Sequence, residues 1–227
     1  MKPVSWPCPL GDGKTADEMA LSFDQHRRWR LLIVPALFEE SNRMRRFTAE
    51  VMRRLDSAGV DSFLPDLPGC NESLASLEPQ TPQGWREAMA AAARHFRASH
   101  VLGIRGGALF MPEGLPGWRY APLGGASALR QLLRARIVAS REAGGSESQE
   151  ALLAEGLEHG LELAGYRLSA EFIRQLQTLR PEVAPRQWDI DQDMLGGGGG
   201  LWLRAEPGDN RAQADALGAI LAVGIKT

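Results

Sequence analysis

With 227 residues, 44% of them hydrophobic and 24% charged, the chain is long enough to bury one substantial core and too short for two ordinary domains with a linker. A formal net charge of −2 offers no electrostatic reason to expect a nucleic-acid or anionic-membrane surface. No apolar run approaches the roughly 20 residues of a membrane span, and the start Met1-Lys2-Pro3-Val4-Ser5-Trp6-Pro7 lacks the apolar segment of a signal peptide, so a cytoplasmic protein with no membrane span and no nucleic-acid partner is expected.

Residues 1–18, rich in Pro, Gly and Asp, read as an irregular N-terminal arm, leaving 19–227 as a single domain. Met19 to Asp24 is a short candidate strand, and Trp29 to Val34 is an apolar run of the kind found in buried parallel strands. Either Ser41 or Asn42 can cap a helix with Met44, Phe47, Val51 and Leu55 at helical spacing up to Gly59. Val60 to Pro65 reads as a strand and Asp66 to Ser73 as the loop beyond it. Thr81-Pro82 opens a helix running to about Arg97, and Val101 to Ile104 is the next strand. Beyond it come a strand at Trp118 to Leu123, helical stretches at 126–141, 147–164 and 169–180, a strand at Gln187 to Asp191, a last strand at Leu201 to Arg204, and a helix from about Asn210 to Val223. Gly196 to Gly200 reads as a flexible connector. This alternation implies an α/β fold: a mostly parallel sheet with helices on both faces, its functional residues at the carboxyl ends of the strands. The insertion at about 126–180 reads as a helical cap.

The segment Gly103-Ile104-Arg105-Gly106-Gly107 has the spacing of a nucleophile elbow, G-x-S-x-G, with arginine where the nucleophilic serine belongs. Arginine stays protonated and offers only donors, so it can pair with an anion but cannot attack a carbonyl. The order of strand, Pro-Ala-Leu loop, helix, strand, Asp-Leu-Pro-Gly loop, helix and elbow resembles the α/β-hydrolase fold. Within it, the run from Pro35 to Arg46, the Arg105 elbow and Ala164-Gly165-Tyr166-Arg167-Leu168-Ser169 resemble the exosortase A system-associated hydrolase 2 family over roughly residues 19–225. The resemblance implies a bacterial protein of gene clusters for exopolysaccharide export and sortase-like protein sorting, with a hydrolase label that rests on fold similarity.

A hydrolase of this fold needs serine, acid and histidine in that chain order. Asp189 and Asp191 could supply the acid, but His26, His95, His100 and His159 all precede the last expected strand, so triad catalysis is expected to be absent. Backbone N–H groups of Leu37 and Gly106 occupy oxyanion-hole positions. With Arg105 they form a candidate anion-binding site at a helix N-terminus; alternatively Glu39 or Glu40, with Asp66 as a further candidate, pairs with Arg105 and closes the site, because an unpaired buried guanidinium costs several kcal/mol. Adjacent in an extended segment, Glu39 and Glu40 would point opposite ways. The Arg43, Arg45, Arg46, Arg53 and Arg54 cluster reads as a solvated helix face. Cys8 and Cys70, the only cysteines, suggest neither a disulfide framework nor a zinc site, and no cofactor or metal is expected. The expected function is that of a degenerate pseudoenzyme, a binding or accessory protein for an anionic small molecule or for a protein of an exopolysaccharide/exosortase system. The alternatives are a hydrolase or acyl-transfer enzyme using Glu39, Glu40 or Asp66 as general base on water, and a structural partner in an export complex.

Overall fold

The computed structural model describes residues 1–10, 13–204, 206, 208 and 210–227. A seven-stranded sheet is built from β1 (Lys2–Pro9), β2 (Thr15–Phe23), β3 (Arg30–Val34), β4 (Asp61–Pro65), β5 (His100–Ile104), β6 (Gly117–Tyr120) and, last in the chain, Gln187–Ile190. A two-stranded hairpin, β7 (Leu161–Leu163) and β8 (Tyr166–Leu168), stands apart, so the last sheet strand is β9. The sheet order is β1-β2-β4-β3-β5-β6-β9. The five strands from β4 to β9 are parallel, and β1 and β2 join antiparallel at one edge.

β3 shows why its sequence is apolar throughout. Leu32 and Val34 enter the core on one face while Leu31 and Ile33 enter the core on the other, as period-two alternation demands of a strand covered on both sides. The helices α1 (Glu39–Ser57) and α6 (Arg211–Lys226) cover the second face. The first face is covered by α2 (Pro82–His95) and by the excursion between β6 and β9, which holds α3 (Gly125–Glu142), α4 (Gln149–His159) and α5 (Ala170–Thr178). Thr81 caps α2 by accepting from the Gly84 N–H at 2.9 Å, with Pro82 opening the helix. No helix of the described residues is long and apolar enough to cross a membrane.

Three expectations are corrected. The supposed irregular arm is a β-hairpin, of which residues 11 and 12 lie outside the description. Its prolines, Pro3, Pro7 and Pro9, share one phase of the edge strand β1, so their donor-less nitrogens can all face the open edge while Trp6 and Cys8 are buried. The helix expected over 147–164 ends at His159, because Gly160 (φ 78°) turns the chain where a Cβ would lie 2.6 Å from the Leu168 carbonyl oxygen. The hairpin that follows turns on Ala164 and Gly165, both at positive φ, the signature of a two-residue turn matched to strand twist. Finally, Leu201–Leu203 is a 3-10 turn and adds no strand. Leu201 is buried and Leu203 lies in solvent, so the two do not share a face as strand alternation would require, and β9 ends the sheet.

Candidate functional site

The carboxyl ends of β3, β5 and β6 converge at Arg105. A 3-10 turn, Arg105–Phe110, follows β5 directly, with no α-helix behind it. The elbow glycines are sterically required: a Cβ on Gly107 would lie 2.3 Å from the Pro35 carbonyl oxygen, and one on Gly103 would lie 2.7 Å from the Ala108 Cα. Arg105 itself sits at φ 53°, the left-handed conformation expected of the residue at the apex of such a turn. Phe38 (φ 53°), in the loop after β3, and Ala121 (φ 44°), just after β6, also have positive φ, which disfavours residues other than glycine. At Phe38 the strain is offset by ring contacts with Tyr166, Trp85 and Phe172 at centroid separations of 5.1, 6.0 and 6.4 Å.

Both glutamates lie in the first turn of α1, which begins at Glu39, two residues ahead of the expected cap at Ser41 or Asn42. Carboxylates there complement the positive end of the helix dipole, and helical geometry sends the two in different directions. Glu40 turns inward and takes a bidentate pair from Arg105, with Nε donating to Oε2 and Nη2 to Oε1, each at 3.1 Å. Nη1 donates to the Ala121 carbonyl oxygen at 2.7 Å, and the guanidinium lies 4.1 Å from the centre of the Trp202 ring, within range of a cation–π contact. Arg105 and Glu40 are both buried. Glu39 instead accepts from the Tyr166 hydroxyl at 3.2 Å, whose ionisation is pushed upward by burial and then by the Glu39 charge.

Asp66 belongs to a separate buried group. Its Oδ1 accepts from Arg45 Nη1 at 2.8 Å and from Asn71 Nδ2 at 3.1 Å, and Asn71 also reaches Ser41 Oγ. Beside it Glu18 is buried and held in its protonated form to higher pH by desolvation, with a smaller contribution from the Asp66 charge. Cys70 has its thiol pushed up to about 12, mainly by burial, which makes it inert. The arginine-rich face of α1 is internally paired: Arg45 meets Asp66, and Arg54 meets Glu50 and Asp215.

A cavity of about 330 Å³ opens in front of the Arg105–Glu40 pair. Leu37, Leu123 and Leu132 give it apolar walls, Glu40 forms part of its floor, and Glu39, Arg43 and Arg134 also line it. Neither Arg105 nor Gly106 lines this space. The guanidinium lies behind Glu40, and Gly106 is covered by Leu37, whose Cδ1 and Cγ lie 2.7 Å from where a Cβ would be. Of the two arrangements expected for Arg105, the structure has the paired one: each of the three guanidinium nitrogens donates to Glu40 or to the Ala121 carbonyl oxygen, and the element that follows is a short 3-10 turn.

Asp189 pairs with Arg119 at 2.6 Å. His26 and His159 project into solvent, while His100 stacks on Trp118 at the opposite, amino end of β5. Trp202 is the site residue that sequence reasoning did not find, since nothing near the glycine run marks it as the lid of an arginine. Among the described residues no three His, Cys, Asp or Glu side chains cluster so as to hold a metal ion.

The chain is similar in structure to alpha/beta hydrolase domain-containing protein 10 from mouse, with a TM-score of 0.57 and 14% identity over 98% of both chains. It also matches a protein of Agrobacterium vitis S4 whose hydrolase assignment is provisional, with a TM-score of 0.55 and 15% identity over 99% of this chain and 98% of that one. A third match is DcsB, solved with its substrate analogue, with a TM-score of 0.55 and 11% identity over the whole of both chains. The fold is that of the α/β-hydrolases. No family model and no curated protein matches the sequence.

Proposed function

We propose that this α/β-hydrolase-fold chain is a pseudoenzyme, a non-catalytic binding or accessory protein. The observation that carries the reading is the buried bidentate pair of Arg105 with Glu40, capped by Trp202, at the position of the nucleophile. A guanidinium, protonated and without an acceptor, neither attacks a carbonyl nor serves as a base toward water. What remains is the 330 Å³ cavity, a volume suited to a small ligand, with Arg43 and Arg134 placed to meet an anionic group. Residues 126–180 serve in this reading as a cap, α3 contributing Ala128, Gln131 and Leu132 to the cavity wall. Association with an exopolysaccharide/exosortase system is carried by the sequence resemblance.

The competing enzymatic reading would need a carboxylate base. Glu40 is tied to Arg105, and Asp66 is buried against Arg45 and Asn71, so Glu39 at the cavity wall is its remaining candidate. Purified protein should turn over p-nitrophenyl acetate and butyrate no faster than a heat-denatured control and should not be labelled by a fluorophosphonate. Turnover that Glu39→Gln abolishes would replace the non-catalytic reading with the carboxylate route, and stoichiometric serine labelling would overturn both.

A further inference from the structure

A second cavity, larger than the one in front of Arg105, lies beside α2 and the far end of the elbow turn. β5 and β6 are parallel neighbours, and a parallel crossover normally carries a helix that covers the sheet. In this chain residues 105–116 supply only the 3-10 turn Arg105–Phe110. The place beside α2 where a crossover helix would pack is left as a groove of about 620 Å³. Ala90, Ala93, Ala98, Leu109, Met111 and Leu115 give it an apolar surface of mostly small side chains, which lets a backbone approach closely.

Charge along the groove is graded. Along the first half of α2 it is lined by Arg86, Glu87 and Glu182, of which Arg86 and Glu182 pair at 3.3 Å, leaving Glu87 as the acid there with no ion pair among the described residues. Seven residues further along the helix, roughly 10 Å at 1.5 Å per residue, Arg94 and then Arg97 line it, and neither makes an ion pair among the described residues. Glu113 projects from the opposite wall. A helix laid in the groove in the same direction as α2 would set its positive N-terminal end by Glu87, Glu182 being already paired with Arg86, and its negative C-terminal end by Arg94 and Arg97. We propose that this groove is the docking site for an amphipathic helix of a partner protein, with a small-residue apolar face toward Ala90 and Ala93 and an acidic last turn meeting Arg94 and Arg97. The helix takes the place of the crossover helix that this chain lacks.

The test uses two fluorescein-labelled 14-residue helical peptides with the same Ala/Leu face, one with lysines in its first turn and glutamates in its last, the other with these charges exchanged. The first should bind the intact protein at least about tenfold more tightly than the second. The double variant R94E/R97E should erase or invert that preference, and Ala90→Arg, which fills the groove, should abolish both interactions while far-ultraviolet circular dichroism stays unchanged. Failure of both peptides to bind, or a preference that R94E/R97E leaves intact, would overturn the proposal. Saturable binding of dodecanoate in their place, lost in Ala90→Arg, would make the groove a small-ligand pocket and overturn it equally.

Discussion

Arg105 and Glu40 are coupled through a buried bidentate ion pair. Removing one partner of a buried ion pair strands the other charge, at a cost of about 3–5 kcal/mol, whereas replacing both by apolar groups of similar volume is often neutral. Arg105→Ala should therefore lower the urea-derived unfolding free energy by about 3 kcal/mol or more, while Arg105→Met combined with Glu40→Leu should recover most of the loss. An Arg105→Ala variant within about 1 kcal/mol of the parent would show that the pair contributes little. Glu18 gives the complementary case in pH. Its carboxyl is raised above 4.5 by burial, with the Ser73 hydroxyl donating to Oε1 at 2.7 Å. The folded state therefore binds more protons than the unfolded state just above that pH, and stability falls as pH rises through the window. Glu18→Gln keeps an acceptor for Ser73 and removes the charge. It should raise the melting temperature at pH 8 and flatten the decline above pH 5; an unchanged pH profile would contradict this account.

At the scale of elements, turn chemistry sets where each one stops. Gly160 ends α4 with φ 78° and no space for a Cβ, while Ala164 (φ 50°) occupies a turn position for which glycine is better suited. Gly160→Ala should destabilise by more than about 1 kcal/mol, and Ala164→Gly should be neutral or stabilising by up to about 1 kcal/mol. Thermal melts of the two variants shifting in the same direction would show that the β7–β8 turn is not the constraint. The strand, helix and strand from β3 to β4 and the capped start of α2 were legible in the sequence, because apolar period and cap residues are local. The break of the 147–164 helix was not legible, since the close approach that reserves position 160 for glycine is that of the Leu168 carbonyl, across the hairpin.

For the whole molecule, Trp85 is the joint between layers. It is buried, donates to the Pro68 carbonyl oxygen at 3.0 Å, and its ring meets Phe110 and Phe172 at 5.2 and 4.9 Å and Phe38 at 6.0 Å. It therefore ties α2 to the elbow turn, to the loop after β3 and to α5. Trp85→Ala should cost about 3–5 kcal/mol and lower hydrogen-exchange protection at Phe38 and in α5 together. Loss confined to α2 would mean that the layers are held independently.

The amino-acid sequence by itself determined the alternation of strands and helices from β3 to β6, the strand β9, the last helix and the parallel character of the central strands, all of which reside in local periodicity, and it placed an arginine at the elbow position. It also pointed first to Glu39 and Glu40 as partners of Arg105, with Asp66 as a further candidate. Only the tertiary structure decided between them, because the choice depends on where α1 begins and hence on the rotation of its first turn. The same holds for Trp202, brought over the guanidinium from 97 residues further along the chain, and for the groove beside α2, which exists because a crossover is short. Contacts between distant segments carry no periodicity of their own; they are set when the layers pack, and packing is where the chemistry of this site was decided.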